Sequence, residues 1–202
     1  MPTLLHVLID ARRFGFLGPG PVEEHLAHTE GFVLAAGATP ASFVDLGSGG
    51  GVPGLALAVQ WPETAVTLIE SRARRGAFLE EAIEALGLTG RVTVLVVRAE
   101  DAARDPALQG AFPLVTARSF APPPVTAECA RPFLAEAGVL LVSEPTEAPA
   151  ERWPADGLAD LGFADDGVVA GPASHVRRLR AVGPCPESLP RRAGMPSKRP
   201  RW

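Results

Sequence analysis

The sequence predicts an α/β fold in which a seven-stranded, mostly parallel sheet with an antiparallel edge carries helices on both faces. Three observations lead to this prediction. From residue 43 onwards, short β-branched runs alternate with helical stretches, a pattern typical of parallel sheets covered by helices. The runs are apolar throughout, as strands buried on both faces require. The last two runs lie close together in the chain, which favours an antiparallel pair at one edge.

Two helices are predicted ahead of the sheet. In residues 3–14 apolar side chains recur at helical spacing, and Gly15 follows them. The second helix covers residues 21–36, begins at a proline and has acidic residues in its first turn. It carries His25 and His28, whose spacing could place two metal ligands on one face. Because no third ligand lies at a recognisable spacing, no metal site is predicted.

The remaining elements follow in order. Strands are predicted at residues 43–46, 65–70, 91–97, 112–117, 138–143, 163–170 and 174–182. Helices are predicted at residues 53–60, 72–86, 105–109, 124–135 and 151–161. Residues 184–202, which we call the basic segment, are rich in proline and arginine and are not expected to form regular structure by themselves. We therefore predict a single domain in residues 1–183, with residues 1–42 as a helical cover, followed by the basic segment.

Composition indicates a folded cytoplasmic protein. The 202 residues suffice for one domain with a full core. The beginning of the chain lacks the form of a secretion signal, and no run approaches the roughly 20 apolar residues that cross a bilayer. No membrane association is predicted. The two cysteines, Cys129 and Cys185, are too few for a disulfide framework or a cysteine zinc site.

Charge is segregated along the chain. Residues 177–202 contain eight Lys or Arg and a single acid, Glu187, whereas residues 1–176 contain 11 basic and 22 acidic residues. A basic element on an acidic body suggests a polyanionic partner, and a solvated tail is the alternative explanation.

The rest of the chain is organised around residues 43–54, FVDLGSGGGVPG. An apolar strand followed by glycines and Pro53 predicts a strand, a tight turn and a helix, whose free N–H groups and positive end suit a nucleotide cofactor. Glycines 49, 51 and 54 satisfy the dinucleotide pattern, but that pattern starts far from the strand and sets Asp45 beside a pyrophosphate. An acid at the strand end better suits a cofactor with an ammonium and a sulfonium. S-adenosylmethionine is therefore preferred over a nicotinamide dinucleotide.

Polar residues at the ends of later strands are candidates for the same crevice. Glu70 ends the second strand, where a carboxylate can accept from ribose hydroxyls, although a helix-capping acid before Ser71 is the alternative. Ala99 and Glu100 end the third strand, where the adenine would lie. Arg118 follows the fourth strand, where a transferred methyl group would point, and an arginine there must find a carboxylate, a carbonyl or a ligand.

The candidate site residues lack a nucleophile and a base. We find no Ser-His-Asp set, no carboxylate pair at a credible spacing and no cysteine facing the cofactor, and Cys129 is expected to be a small buried residue. This favours an acceptor that needs no activation, such as a ring nitrogen with a free lone pair. Guanine N7 is one, and its methylation depends on positioning.

Four motifs together resemble the bacterial small-subunit ribosomal RNA guanine-N7 methyltransferases, the glucose-inhibited division protein B family. They are residues 44–54 (VDLGSGGGVPG), 98–100 (RAE), 116–118 (TAR) and 190–200 (PRRAGMPSKRP). The resemblance implies a class I S-adenosylmethionine-dependent methyltransferase fold of the Rossmann-like type, S-adenosylmethionine as donor, and guanine N7 of 16S ribosomal RNA, free or in the 30S subunit, as acceptor.

The resemblance also implies roles for individual residues. Those expected to hold the cofactor are Asp45, Gly47, Ser48, Gly49, Gly51, Glu70, Ser71, Ala99, Glu100 and Arg118. Arg118, between cofactor and base, is the predicted catalytic residue. Those expected to contact RNA are Arg191, Arg192, Lys198 and Arg199.

Two features depart from the family pattern. The family usually has a longer helical part with a His and an Asp-Ser-Leu element ahead of the glycine loop, whereas 42 residues without that element precede the loop here. Glu144 stands where the family often has a lysine, and a carboxylate at the mouth of the site is expected to repel a phosphate backbone. A methyltransferase of the same fold acting on a small molecule or a protein, or a cofactor-binding protein without RNA methylation activity, therefore remain alternatives.

Overall fold

The computed structural model describes residues 3–202, which fold around a seven-stranded sheet. The strands are β1 (Ser42–Leu46), β2 (Ala65–Ile69), β3 (Val92–Leu95), β4 (Phe112–Ala117), β5 (Leu134–Glu144), β6 (Phe163–Ala170) and β7 (His175–Ala181). Their order across the sheet is β3-β2-β1-β4-β5-β7-β6. Strands β1 to β5 pair in parallel, and β7 pairs antiparallel with both β5 and β6.

Helices cover both faces of this sheet. They are α1 (Leu4–Arg13), α2 (Val22–Ala36), α3 (Gly54–Gln60), α4 (Ala73–Ala85), α5 (Ala99–Ala102), α6 (Pro123–Ala130), α7 (Ala155–Asp160) and α8 (Met195–Lys198). Successive strand residues point to opposite faces, so Phe43 packs with the apolar residues of α1 to α4 and Val44 with those of α5 to α7.

The direction of strand addition reverses between β1 and β4. The chain adds β2 and β3 on one side of β1 and then returns to add β4 and β5 on the other. Asp45 is in register with Thr116 at this point, and Leu46 with Ala117. A crevice opens at the carboxyl ends of parallel strands where the order reverses, and ligands of open α/β sheets bind there.

The predicted fold class is confirmed, with differences at several helices. The helix predicted at residues 105–109 is wrong, because Asp105 accepts the N–H of Ala107 at 2.9 Å and forms a local turn instead. The helix predicted at residues 124–135 ends at Ala130, and a short 3₁₀ helix leads into β5. Pro132, which has no N–H to donate, lies in that turn.

The basic segment packs against the domain. Four of its residues form the short helix α8, which lies on α6. The expectation concerned the segment by itself, and here the helix forms in contact with the body. Within residues 3–202, no helix is both long and apolar enough to cross a bilayer.

Candidate cofactor and acceptor site

The glycine loop is held at the end of β1 by backbone hydrogen bonds. The N–H groups of Gly47 and Ser48 donate to the carbonyl of Ile69, at 2.8 and 3.1 Å. Gly47 has a φ of 68°, a left-handed conformation that favours glycine. A Cβ at this position would lie 2.7 Å from Cδ2 of Phe120. The backbone here is therefore close to an aromatic ring that a larger residue would displace.

The Glu70 carboxylate accepts hydrogen bonds from the glycine loop and from the residue before α4. Its Oε2 accepts the N–H of Gly49 at 3.0 Å, and its Oε1 accepts the N–H of Arg72 at 2.9 Å. The residue is 4% exposed. The carboxylate ties the glycine loop to the beginning of α4, and the ribose contact expected from the sequence stays a prediction. A Cβ on Gly51 would meet Leu55 at 2.6 Å, and the cofactor contact expected of this glycine stays a prediction.

Asp45 is buried beneath the loop. Its Oδ1 accepts the hydroxyl of Thr116 at 2.7 Å, and among the described residues its Oδ2 has no hydrogen-bond partner. Burial raises the pKa of this carboxyl to about 6, and the hydrogen bond from Thr116 opposes that shift. The carboxylate of Asp45 therefore lies beneath the glycine loop with one oxygen unpaired in the described part of the chain, and the cofactor contact expected from the sequence stays a prediction.

The raised pKa of Asp45 predicts a pH-dependent stability cost. As pH rises, the unfolded chain loses this proton near pH 4, whereas the folded protein keeps it until about pH 6. Ionisation of Asp45 therefore lowers the free energy of unfolding across this window. We expect the stability difference between Asp45→Asn and wild type to shift in favour of the variant by about 2 kcal/mol between pH 4.5 and 7.5. Urea unfolding across this range measures it, and a pH-independent difference would contradict the assignment.

Two recesses meet at Gly47. The first, of about 190 Å³, has polar and apolar surface in equal parts. The second, of about 300 Å³, is formed by the glycine loop and the turn between α1 and α2. The first is lined by Gly47, Ile69, Ser71, Val97, Arg98, Ala99, Glu100, Phe120, Ala121, Val125, Cys129 and Ser197. The second is lined by Gly15, Phe16, Leu17, Gly18, Gly47, Ser48, Gly49, Gly50, Val52, Arg75, Arg118 and Ser119.

A third recess, of about 440 Å³, adjoins the second. The two share Arg118 and Ser119, which therefore form a common wall. His28, Glu144 and His175 line the far side. Ser119 has a φ of 52°, an unfavourable conformation for a residue with a Cβ, and such strain is typical of functional sites. The three recesses thus form a continuous row along the carboxyl ends of the strands.

The residues predicted from the sequence are distributed unevenly over this row. Gly47, Ser48, Gly49, Ser71, Ala99, Glu100 and Arg118 line the recesses. The side chain of Ser48 turns inward and donates to the carbonyl of Asp45 at 3.1 Å, which leaves its backbone for a ligand. Sequence reasoning missed Phe16, Leu17 and Phe120. Gly15 and Gly18 lie on either side of Phe16 and Leu17 in the turn between α1 and α2, and these glycines could have indicated that the turn approaches the site closely.

Arg118 is held in place by His25. The Nε2 of His25 donates to the carbonyl of Gly18 at 3.2 Å, which leaves Nδ1 as an acceptor for Arg118 Nη2 at 2.6 Å. Burial, and then the charge of Arg118, lower the pKa of His25, so the ring is neutral at neutral pH. His25 thus holds Arg118. Among the described residues, no group of three potential ligands could hold a metal ion.

Removal of the His25 ring is expected to slow methyl transfer by releasing Arg118. We expect His25→Ala to lower kcat/KM about tenfold and His25→Asn to keep most of it, since the asparagine Oδ1 can accept from Arg118 in place of Nδ1. Steady-state methyl-transfer kinetics measure both, and S-adenosylhomocysteine affinity serves as the folding control. Equal activity of the alanine variant and wild type would contradict this role.

Glu144 does not present a free carboxylate. Its Oε1 accepts the indole N–H of Trp153, its Oε2 lies 3.5 Å from Nη1 of Arg152, and its side chain is 1% exposed. The expected repulsion of a phosphate backbone is corrected, because an adjacent cation balances this charge.

The basic residues predicted to bind RNA differ in whether their side chains are exposed to solvent or held in ion pairs. Arg191 forms a bidentate ion pair with the buried carboxylate of Glu128, and its RNA contact stays a prediction. Arg192, Lys198 and Arg199 are exposed.

The sequence matches a known family. A family model described as GidB, rRNA small subunit methyltransferase G, matches residues 24–151. The chain belongs to this family. The match begins within α2, so the resemblance extends further towards the beginning of the chain than the motifs indicated, and it ends before the basic segment.

Two relatives carry the family name. The ribosomal RNA small subunit methyltransferase G of Prochlorococcus marinus (strain MIT 9313) is 37% identical over an alignment of 174 residues that covers 80% of this chain and 68% of the relative. That of Synechococcus sp. (strain CC9311) is 38% identical over an alignment of 166 residues that covers 78% of this chain and 65% of the relative. The chain thus spans about two thirds of the length of these relatives.

Solved structures share the fold at low sequence identity. An S-adenosylmethionine-dependent methyltransferase from Aquifex aeolicus aligns with a TM-score of 0.60 at 16% identity, over 87% of this chain and 98% of its own. A mutant of MtNAS in complex with S-adenosylmethionine aligns with a TM-score of 0.63 at 14% identity, over 89% and 73%. The predicted family and fold are confirmed, together with the enzyme class of an S-adenosylmethionine-dependent methyltransferase.

Proposed function

We propose that this protein transfers a methyl group from S-adenosylmethionine to N7 of a guanine in 16S ribosomal RNA, free or within the 30S subunit. The observation that carries the proposal is the wall shared by the second and third recesses. Arg118 and Ser119 face a donor on one side of this wall and an acceptor on the other. A methyl group can pass between two ligands only where their recesses meet.

The first and second recesses fit the two halves of the cofactor. Apolar side chains and Glu100 would hold the adenine in the first, and the backbone of Gly47 and Gly49 would border the methionine half in the second. The carboxylate of Asp45 lies beneath the loop and complements a positively charged ligand. When bound, S-adenosylmethionine supplies an electrophilic methyl group on its sulfonium sulfur.

The third recess is the acceptor side. Guanine N7 carries a lone pair in the ring plane and loses no proton when it attacks, so the protein need only orient the base and exclude water. The Arg118 guanidinium can donate to the neighbouring guanine O6, an acceptor on the same edge. Glu144 is engaged with Trp153 and Arg152 and is therefore not free to act as a base, which attack by N7 does not need.

A second candidate acceptor follows from the histidines of the third recess. Sequence reasoning expected no base at the site, yet His28 and His175 line this recess beside Arg118. Burial and the charge of Arg118 lower the pKa of His28, which keeps its ring neutral and able to accept a proton. An exocyclic amine or a hydroxyl could then be the acceptor, on a nucleic acid, a small molecule or a protein.

One assay tests the proposal. The protein is incubated with methyl-labelled S-adenosylmethionine and either transcribed 16S RNA or 30S subunits, and the RNA is then cleaved with borohydride and aniline, which act at N7-methylguanine. We expect label and cleavage at one guanine. Label without cleavage would favour the second acceptor, as would loss of activity in His28→Phe or His175→Phe. Absence of transfer to any RNA would overturn the proposal.

A further inference from the structure

The basic segment closes one side of the cofactor site. Ser197, in α8, lines the first recess together with residues from α5, from α6 and from the loop that follows β3. The N–H of Gly194, which precedes α8, donates to Oε1 of Glu100 at 2.8 Å. Glu100 lines the same recess and pairs through the same oxygen with Arg98 at 3.0 Å. The segment therefore contacts the residues expected to surround the adenine.

A buried carboxylate anchors the segment. Glu128 of α6 is 2% exposed, and its two oxygens accept from Arg191 in a bidentate ion pair. Arg201 lies 3.7 Å from the same carboxylate. Arg104 donates to the carbonyl of Arg191 at 3.2 Å. A buried carboxylate without partners is strongly destabilising, so the domain is built to hold this segment.

The far end of the segment reaches the acceptor side. The ring of Trp202 lies against Gly157, where a Cβ would come within 2.4 Å of it. Its indole N–H donates to the carbonyl of Arg152 at 3.1 Å. Arg152 lines the third recess and pairs with Glu144. Nineteen residues thus connect the adenine end of the site with the wall of the acceptor recess.

The same segment exposes cations to solvent. Arg192, Lys198 and Arg199 are exposed beside the buried anchors, and Arg191 Nη2 donates to the carbonyl of Arg199 at 2.8 Å. The docking contacts of the segment therefore determine where these cations lie. Cations in a fixed arrangement on an otherwise acidic body suit a phosphate backbone.

We propose that docking of the basic segment couples the two ligands of the enzyme. A cofactor in the first recess contacts the docked segment and stabilises it, and the docked segment holds Arg192, Lys198 and Arg199 in position for RNA phosphates. By thermodynamic reciprocity, RNA bound to these cations strengthens cofactor binding by the same factor. The RNA half of this inference rests on the proposed function, whereas the cofactor half does not.

Neighbouring arginines provide a matched pair of variants. Arg191→Gln removes the buried anchor, and Arg192→Gln makes the same change at an exposed position. We expect Arg191→Gln to weaken S-adenosylhomocysteine binding about tenfold in calorimetric titration and Arg192→Gln to leave it unchanged. Should Arg191→Gln fail to fold, Glu128→Gln with Arg191→Leu removes both charges and leaves no unpaired carboxylate. Unchanged affinity in every folded anchor variant would overturn the role of the segment in the cofactor site.

The coupling is measured with both ligands present. We expect transcribed 16S RNA to bind wild type about fivefold more tightly with saturating S-adenosylhomocysteine than without it, and the ratio to approach one in the anchor variants. Arg192→Gln should weaken RNA binding and reduce its salt dependence while it keeps the ratio. A ratio of one in wild type would overturn the coupling. Absence of any RNA binding would overturn the proposed acceptor, and the titration with S-adenosylhomocysteine would still decide the role of the segment in the cofactor site.

Discussion

Replacement of Arg118 by lysine is expected to lower kcat/KM for methyl transfer about 100-fold. Arg118 lies between the second and third recesses and donates to His25 Nδ1 at 2.6 Å. The planar guanidinium can bind His25 and still direct other N–H groups at a ligand, whereas an ammonium on a flexible stem cannot hold that geometry. The positive charge that balances Asp45 is retained in the variant.

The measurement for Arg118→Lys separates transfer from binding. Initial rates on 30S subunits give kcat/KM, and calorimetric titration with S-adenosylhomocysteine gives cofactor affinity, which we expect to change less than about threefold because the charge is kept. A large loss of cofactor affinity with unchanged kcat would place Arg118 in the cofactor site alone. Activity equal to wild type would show that its position between the recesses has no role in transfer.

Replacement of Gly47 by alanine is expected to reduce cofactor affinity about 100-fold. The residue has a φ of 68°, which costs a residue with a Cβ about 1 kcal/mol. The added Cβ would also lie 2.7 Å from Cδ2 of Phe120, a residue that lines the first recess. The ring must move, and Gly47 itself forms the junction of the first and second recesses.

Gly49→Ala provides the matched control. Gly49 has a similar φ of 54°, but a Cβ there would lie no closer than 3.6 Å to its neighbours. This variant therefore carries the backbone strain without the collision, and we expect it to lose only about tenfold in affinity. Titration with S-adenosylhomocysteine compares the two, and Gly47→Ala with Phe120→Ala should recover part of the loss. Equal losses in both single variants would show that strain alone is responsible.

Much of the fold was predictable because its signals are local. Apolar runs followed by turn residues located every strand, and the glycines after Leu46 located the crevice. The helix boundaries were less predictable. At residues 105–109 the Asp105 side chain accepts a backbone N–H and so competes with helix formation. Residue composition alone does not reveal this hydrogen bond.

The candidate site was predictable for residues whose position along the backbone, directly after a strand, determines where they lie. Gly47 and Arg118 follow the ends of β1 and β4, and the register of parallel strands brings such positions together. Side chains were harder to assign. Glu70 and Asp45 occur at the expected positions, but their carboxylates turn beneath the loop, and only packing determines that direction.

The sequence by itself determined the alternation of strands and helices, the glycine loop and the family, because these depend on residues close together in the chain. The tertiary structure decided which charges are free. Arg118 pairs with His25 across 93 residues, and Arg191 with Glu128 across 63. The sequence does not show whether a carboxylate is buried, yet burial determines whether that carboxylate repels a ligand or anchors a neighbouring segment. For that reason the basic segment, which was not expected to form regular structure by itself, is in the structure packed against α6 and anchored on a buried carboxylate.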